Sequence, residues 1–120
     1  MRILHLPLKE KWYRMIEKGE KKEEYRELNY YWAKRILKDY PIFWRFNMTM
    51  CIEAGVFDMF LGKTFGGWDA IHFTLGYPKR DDEGRNMTRE VEEIVIGEGR
   101  EEWGAEPHKL YFVIKLKDKA

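Results

Sequence analysis

Gly19-Glu20-Lys21-Lys22-Glu23-Glu24-Tyr25-Arg26-Glu27-Leu28 decides the fold. The stretch is almost wholly charged, and helix propensity alone favours a helix. What precedes it argues otherwise. Residues 8–18 carry Leu8, Trp12, Met15 and Ile16 at i, i+4, i+7 and i+8, the apolar stripe of an amphipathic helix. Lys18 stands in the last turn and Gly19 directly after it. A cation at the carboxyl end followed by a residue free to adopt positive φ is a helix stop. The stop favours a strand for the charged run; as a strand it carries Glu24, Arg26 and Leu28 on one face and Glu23, Tyr25 and Glu27 on the other.

Working outward, Ile3, Leu4 and Leu6 form a short apolar run expected to be a buried strand ending at Pro7. Residues 29–39 read as a second helix, with Asn29 as N-cap and Trp32, Ile36 and Leu37 on one side; Tyr40-Pro41 ends it. Residues 42–68 are apolar and aromatic without a clean period, punctuated by Gly55, Gly62, Gly66 and Gly67. Residues 70–75, 87–96 and 110–116 read as strands, the last (LYFVIKL) most clearly. Gly76-Tyr77-Pro78 and Asp81-Asp82-Glu83-Gly84 are turn chemistry, and Gly97 and Gly99 bracket a further turn. Helices come early and strands late. The expected class is α+β: one domain over residues 1–120, a mostly antiparallel, barrel-like sheet with two or three peripheral helices. Residues 41–68 are expected to be an insertion or lid.

Composition bounds the function. The chain has 120 residues, with 44% hydrophobic and 16% aromatic residues, enough for a core and against disorder. A single cysteine, Cys51, cannot form an intramolecular disulfide. No run approaches ~18 apolar residues, so no membrane span is expected. Met1-Arg2-Ile3-Leu4-His5-Leu6-Pro7 is charged too early for a signal peptide, and the expected compartment is the cytoplasm. The formal net charge is +1. It averages two unlike parts: residues 1–38 hold eleven Lys and Arg against six Glu (+5), the remainder eleven against fifteen acids (−4). Bulk polyanion binding is excluded; a local basic contact is not.

The sequence has no C-x-x-C, H-E-x-x-H, phosphate-binding loop or G-x-G-x-x-G. His5, His72 and His108 are dispersed, so no metal site is expected from them with Cys51. No cofactor is expected. Cys51 lies in an apolar stretch and reads as a small core residue. Glu24 and Arg26, two apart on one strand face, leave two readings open. On an exposed edge they form cross-strand ion pairs. In a barrel interior, where charge is costly unless paired or serving a ligand, an Arg fork beside a carboxylate holds a phosphate or the polar edge of a base. Lys21 at the mouth then acts as an anion clamp or, if desolvated, as a base with a lowered pKa.

The stretch GEKKEEYR resembles the GxKxxExR signature of the ASCH domain, a PUA-like β-barrel family, with Gly19, Lys21, Glu24 and Arg26 at the signature positions. The opening ILHLPLKEKWYRMIEKGEKKEEYREL, then Tyr31-Trp32, Lys34-Arg35, Phe73-x-x-Gly76-Tyr77, the segment Gly97-x-Gly99-x-x-Glu102-Trp103-Gly104-Ala105 and the closing YFVIKL look like small bacterial and phage-type members. The resemblance covers most of the chain except about residues 41–68. It also supports the strand reading of the charged run, and it implies a pocket floored by the signature strand that binds RNA or a modified nucleobase. In similar small proteins that remove the acetyl group from acetylated cytidine, the signature lysine serves as base and a threonine in the same strand as nucleophile; others are described as ribonucleases. Here the lysine is Lys21, but Glu24 stands at the threonine position, which removes the hydroxyl nucleophile.

The expected function is an RNA- or nucleotide-binding module. In it Lys21, Glu24 and Arg26 contact a base or phosphate, and Tyr25, Tyr77 and Trp103 are candidates to stack on a base. Lys9, Lys11 and Arg14 add phosphate contacts from the first helix. The alternative is a hydrolase acting on a modified nucleoside or RNA through Lys21 and Glu24. A third possibility is a protein partner or self-association through residues 42–68, whose density of Phe, Trp and Met exceeds the needs of one small core.

Overall fold

The computed structural model describes residues 1–76 and 85–118. Tyr77 and the Asp81–Gly84 turn lie outside the described residues. The elements run β1 (Ile3–Leu8), α1 (Glu10–Glu17), β2 (Glu23–Glu27), α2 (Tyr30–Ile36), α3 (Ile42–Ala54), β3 (Thr64–Phe65), β4 (Ala70–Leu75), β5 (Asn86–Glu98) and β6 (Leu110–Leu116), with 3-10 turns at Asp58–Phe60 and Glu101–Trp103. Helices early and strands late give the α+β class.

The six strands form one strongly curled mixed sheet, a half-barrel, in the order β1-β4-β5-β6-β2, with β3 pairing β5. The β1/β4 pair is parallel and every other ladder antiparallel. The spine is β5. Its first half pairs β4 over Asn86–Glu90, and its second half pairs β6 and β3. A register shift between Val91 and Glu93 marks the change, and a bulge of this kind bends a strand and increases its twist. One long strand thus serves two ladders and curls the sheet.

The curl stops short of closure. Among the described residues no ladder joins β1 to β2; the Arg26 guanidinium spans that seam, donating through Nη2 to the Pro7 carbonyl at 2.9 Å. The first strand runs through Pro7 to Leu8 rather than stopping at it. Proline lacks a donor, but β1 lies at the end of the sheet and its free edge asks for none.

The first helix is shorter than expected, and its inward face is turned. Tyr13 and Ile16 are buried, while Trp12 is half-exposed. Asn29 caps α2 as expected, accepting from the Trp32 amide at 3.0 Å. The unreadable region contains a full helix, α3. Its Met48 is buried and Trp44, Cys51 and Ile52 pack against the core, while Ile42, Phe43, Phe46 and Met50 are exposed. Apolar residues on both faces are why no period is visible. Phe60 and Phe65 close the segment onto the core.

The main core fills the half-barrel with Leu4, Leu6, Ile71, Phe73, Ile94, Ile96, Phe112 and Ile114. A second, smaller cluster of Tyr25, Ala105, Tyr111 and Val113 lies on the opposite face of β2 and β6. Burial on both faces makes β6 a continuous apolar run rather than an alternating one.

Candidate functional site: a charged strand under an aromatic cleft

The second strand pairs β6 with Glu24 opposite Ile114 and Arg26 opposite Phe112. Both partners belong to the main core, so the two charged side chains project from the concave face of the sheet. Tyr25, opposite Val113, faces the small cluster. This is the interior arrangement, not the exposed edge.

Lys21 and Glu24 are the buried charged residues among those described, 1% and 5% exposed. Each is held by named partners. The Lys21 ammonium donates to the Trp103 carbonyl at 2.7 Å and to Glu24 Oε1 at 3.4 Å. It lies 5.0 Å from the ring centres of both Trp12 and Tyr25, a distance at which a cation is attracted to an aromatic face. Burial pushes its pKa down, against the upward pull of the Glu24 carboxylate. The same Glu24 oxygen accepts from the Tyr25 amide at 2.9 Å and lies 3.3 Å from Arg26 Nη1. Arg26 also donates to the Tyr25 carbonyl at 2.7 Å, and its guanidinium lies 5.1 Å from the centre of the Trp32 ring.

All of Glu24's partners gather on Oε1. Its other oxygen, Oε2, is buried and has no hydrogen-bond partner. A buried carboxylate oxygen without a donor costs the desolvation of that atom. Glu24, Tyr25 and Arg26 line a cleft of about 360 Å³. Pro7, Leu8 and Lys9, the Trp12 and Trp32 rings, Trp103-Gly104 and Tyr111 complete its lining.

Two glycines set the loop that makes this wall. A Cβ on Gly99 would lie 2.6 Å from the Tyr25 ring and 2.7 Å from the Ala105 Cβ. Gly104 has φ +102°, and a Cβ there would meet Trp12 at 2.9 Å. The loop lies flat on the aromatic residues, which brings the Trp103 carbonyl within reach of Lys21. The Tyr25 hydroxyl ties it down further, accepting from the Arg100 amide at 2.9 Å and donating to Glu23 at 2.8 Å.

Lys9, Glu24, Tyr25, Arg26 and Trp103 therefore line one cleft, and Lys21 is bonded to two of them, Glu24 and Trp103. Lys21 itself does not line the cleft; it is buried against the Trp12 and Tyr25 rings rather than standing at the mouth. Lys11 and Arg14 do not line the cleft. Lys11 lies 4.7 Å from the Trp12 ring centre, and Arg14 is paired with Glu17 at 3.2 Å and Glu10 at 3.8 Å. Tyr77 lies outside the described residues. Sequence reasoning missed Trp12 and Trp32, because helical spacing assigns both to core stripes. Trp12 is half-exposed one position before buried Tyr13, and the apolar spacing of α1 carries no mark of that turn.

Among the described residues no cluster of three His, Cys, Asp or Glu side chains is placed to hold a metal ion, and no helix is long and apolar enough to cross a membrane. No family model matches the sequence, and neither a curated protein nor a solved structure matches it.

Proposed function

We propose that the protein is an ASCH-type, PUA-like module that holds a nucleobase of RNA, or a free nucleotide, in the cleft above β2. The observation that carries this reading is Glu24, a buried carboxylate in the lining of an aromatic-walled cleft whose Oε2 has no donor. A ligand with an N–H or NH₂ group supplies that donor when the carboxylate turns toward the cleft, as an exocyclic amine on a base edge does; a carboxylate accepting from cytosine N4 is a known pairing. Trp12, Trp32 and Trp103 supply stacking faces, worth ~1–3 kcal/mol per base. A cleft of about 360 Å³ sits near the small end of ligand sites and suits one nucleoside.

Tryptophan fluorescence tests this. Cytidine or guanosine is expected to quench emission saturably. Glu24→Gln is expected to weaken cytidine binding about 5–150-fold, the weight of ~1–3 kcal/mol for a lost charge-assisted contact. Absence of saturable quenching by any nucleoside at millimolar concentration overturns the reading.

The second reading, a hydrolase on a modified nucleoside, draws support from the Lys21–Glu24 pair at 3.4 Å, in which burial pushes the lysine pKa down, since a coupled acid and base can exchange protons in catalysis. Incubation with acetylated cytidine beside a Lys21→Ala variant separates the two. Turnover lost in the variant favours the enzyme; binding without turnover favours the module.

A further inference from the structure

The base cleft is the first of three that adjoin along β1 and α2. Pro7 and Trp32 line both it and a second cleft of about 400 Å³ between the outer face of β1 and α2. His5 and Arg35 line both the second and a third cleft of about 230 Å³ that reaches Lys38 and Trp68. Shared walls make the three one groove along β1. That strand has six residues, so the groove extends on the order of 20 Å.

The lining of the added length has one chemical character. Among the described residues no carboxylate lines the second or third cleft. Arg35 and Lys38 supply positive charge, and Tyr31, Trp32 and Trp68 supply rings. Tyr31 is 59% exposed and stands edge-on to Trp32 at 4.8 Å between ring centres. The Arg35 guanidinium lies 5.4 Å from the Tyr31 ring centre and 5.7 Å from that of Trp32. Tyr31 and Arg35 are i and i+4, so α2 presents both on one face. Cations beside exposed rings along a groove are what a single strand of nucleic acid uses: the cations meet phosphates and the rings stack bases. By contrast, Arg14 on α1 is already paired with Glu10 and Glu17.

We infer that this groove binds a single-stranded RNA segment of several nucleotides, one base of which enters the cleft above Glu24. The inference rests on the function proposed above and extends it: the ligand is a strand rather than a free nucleotide, and its path runs over α2 rather than over α1. An acidic peptide would meet the same cations but has no bases to stack on Tyr31.

The test is fluorescence anisotropy with a labelled single-stranded oligoribonucleotide of about eight residues, with cytidine monophosphate titrated separately by tryptophan quenching. Arg35→Glu and Tyr31→Ala alter exposed helix positions, and circular dichroism verifies their folding. The oligoribonucleotide is expected to bind at least tenfold more tightly than the mononucleotide. Each variant is expected to weaken the oligomer about tenfold while leaving the mononucleotide unchanged. Arg35→Glu is also expected to flatten the dependence of log K on log salt by about one unit or more. An oligomer that binds no more tightly than the mononucleotide, variants without effect, or equal displacement by polyglutamate overturns the groove. If Glu24→Gln changes neither ligand while Arg35→Glu weakens the oligomer, the groove stands and the base cleft falls. If neither ligand binds, both fall.

Discussion

Residues 19–28 and residues 42–61 are the most charged and one of the most apolar stretches of the chain, and the fold treats them against type. The charged stretch puts Lys21 and Glu24 inside, at 1% and 5% exposure. The apolar stretch leaves Ile42, Phe43 and Phe46 between 63% and 75% exposed. The difference lies in what each side chain has around it. Lys21 and Glu24 gain a carbonyl, a backbone amide, each other and two aromatic faces, which offset the loss of water. Phe43 and Phe46 leave no polar group without a partner by standing in solvent, and folded proteins commonly expose apolar side chains. The charged region is therefore expected to be sensitive to substitution and the apolar one tolerant.

Removing one member of the buried pair tests this most severely. Glu24→Ala leaves the Lys21 ammonium buried with no carboxylate, and Arg26 without its interior partner. The expected loss is about 3–5 kcal/mol of unfolding free energy, read by urea denaturation. Replacing both charges together, Lys21→Met with Glu24→Leu, is expected to cost far less, because the fully buried ammonium is gone and Arg26, which is part-exposed, keeps the Tyr25 and Pro7 carbonyls. If the single and double variants are equally destabilised, the pair is not what makes the region sensitive.

Next in size is the loop that closes the cleft. Gly99→Ala places a methyl 2.6 Å from the Tyr25 ring, and overpacking of this kind typically costs 1–3 kcal/mol. Because the displaced loop carries the Trp103 carbonyl away from Lys21, the variant is also expected to change tryptophan emission. A variant as stable as the parent, with unchanged emission, means that the loop does not need a glycine at this position.

These outcomes bear on what the sequence contained. The strand assignment of residues 23–27, and with it the shared face of Glu24 and Arg26, was legible from the Gly19 stop together with the resemblance of GEKKEEYR to a signature strand, against a helix propensity that favours helix. The half-barrel was not, because curling depends on a bulge between Val91 and Glu93 in a strand that otherwise reads as regular. The seam between β1 and β2 was equally hidden, since nothing local links Arg26 to the Pro7 carbonyl, nineteen positions earlier. Trp12 and Trp32 carry a helical period, and a period cannot tell a core ring from a cleft ring one position round the helix. The α3 helix was illegible for the opposite reason: apolar on both faces, it has no period to read.

The pH response sharpens the buried side of the comparison. With its pKa pushed below the ordinary 10.5, Lys21 releases its proton in the folded state before it does in the unfolded chain. Between those two values the unfolded state binds more protons, so stability rises with pH. The penalty of burying the ammonium is complete below the lowered pKa and is relieved as pH climbs toward 10.5. Tyr25 works the other way: burial raises its pKa, so it lowers stability above its ordinary 10.0. Tyr25 is common to parent and Lys21→Met, so the difference between their unfolding free energies isolates the lysine. The parent is expected to gain on the variant as pH rises through that window. A constant difference means that Lys21 titrates no earlier when folded than when unfolded.

The smallest effect on stability is expected on the apolar side. Phe43 and Phe46 on α3 are 64% and 63% exposed, three positions apart and so on one face of the helix. Phe43→Ser with Phe46→Ser removes rings that are mostly in water already, and unfolding free energy is expected to change by no more than about 0.5 kcal/mol. Its consequence falls on association instead. Clustered exposed rings, with Met50 one turn on, are a sticky surface, so light scattering is expected to give a mass that rises with concentration for the parent and holds nearer 14.6 kDa for the variant. A loss of several kcal/mol would mean that α3 is anchored by its outer face after all. A parent that stays monomeric at every concentration would mean that the exposed rings are too dispersed to act as a patch, and the contrast with β2 would then rest on stability alone.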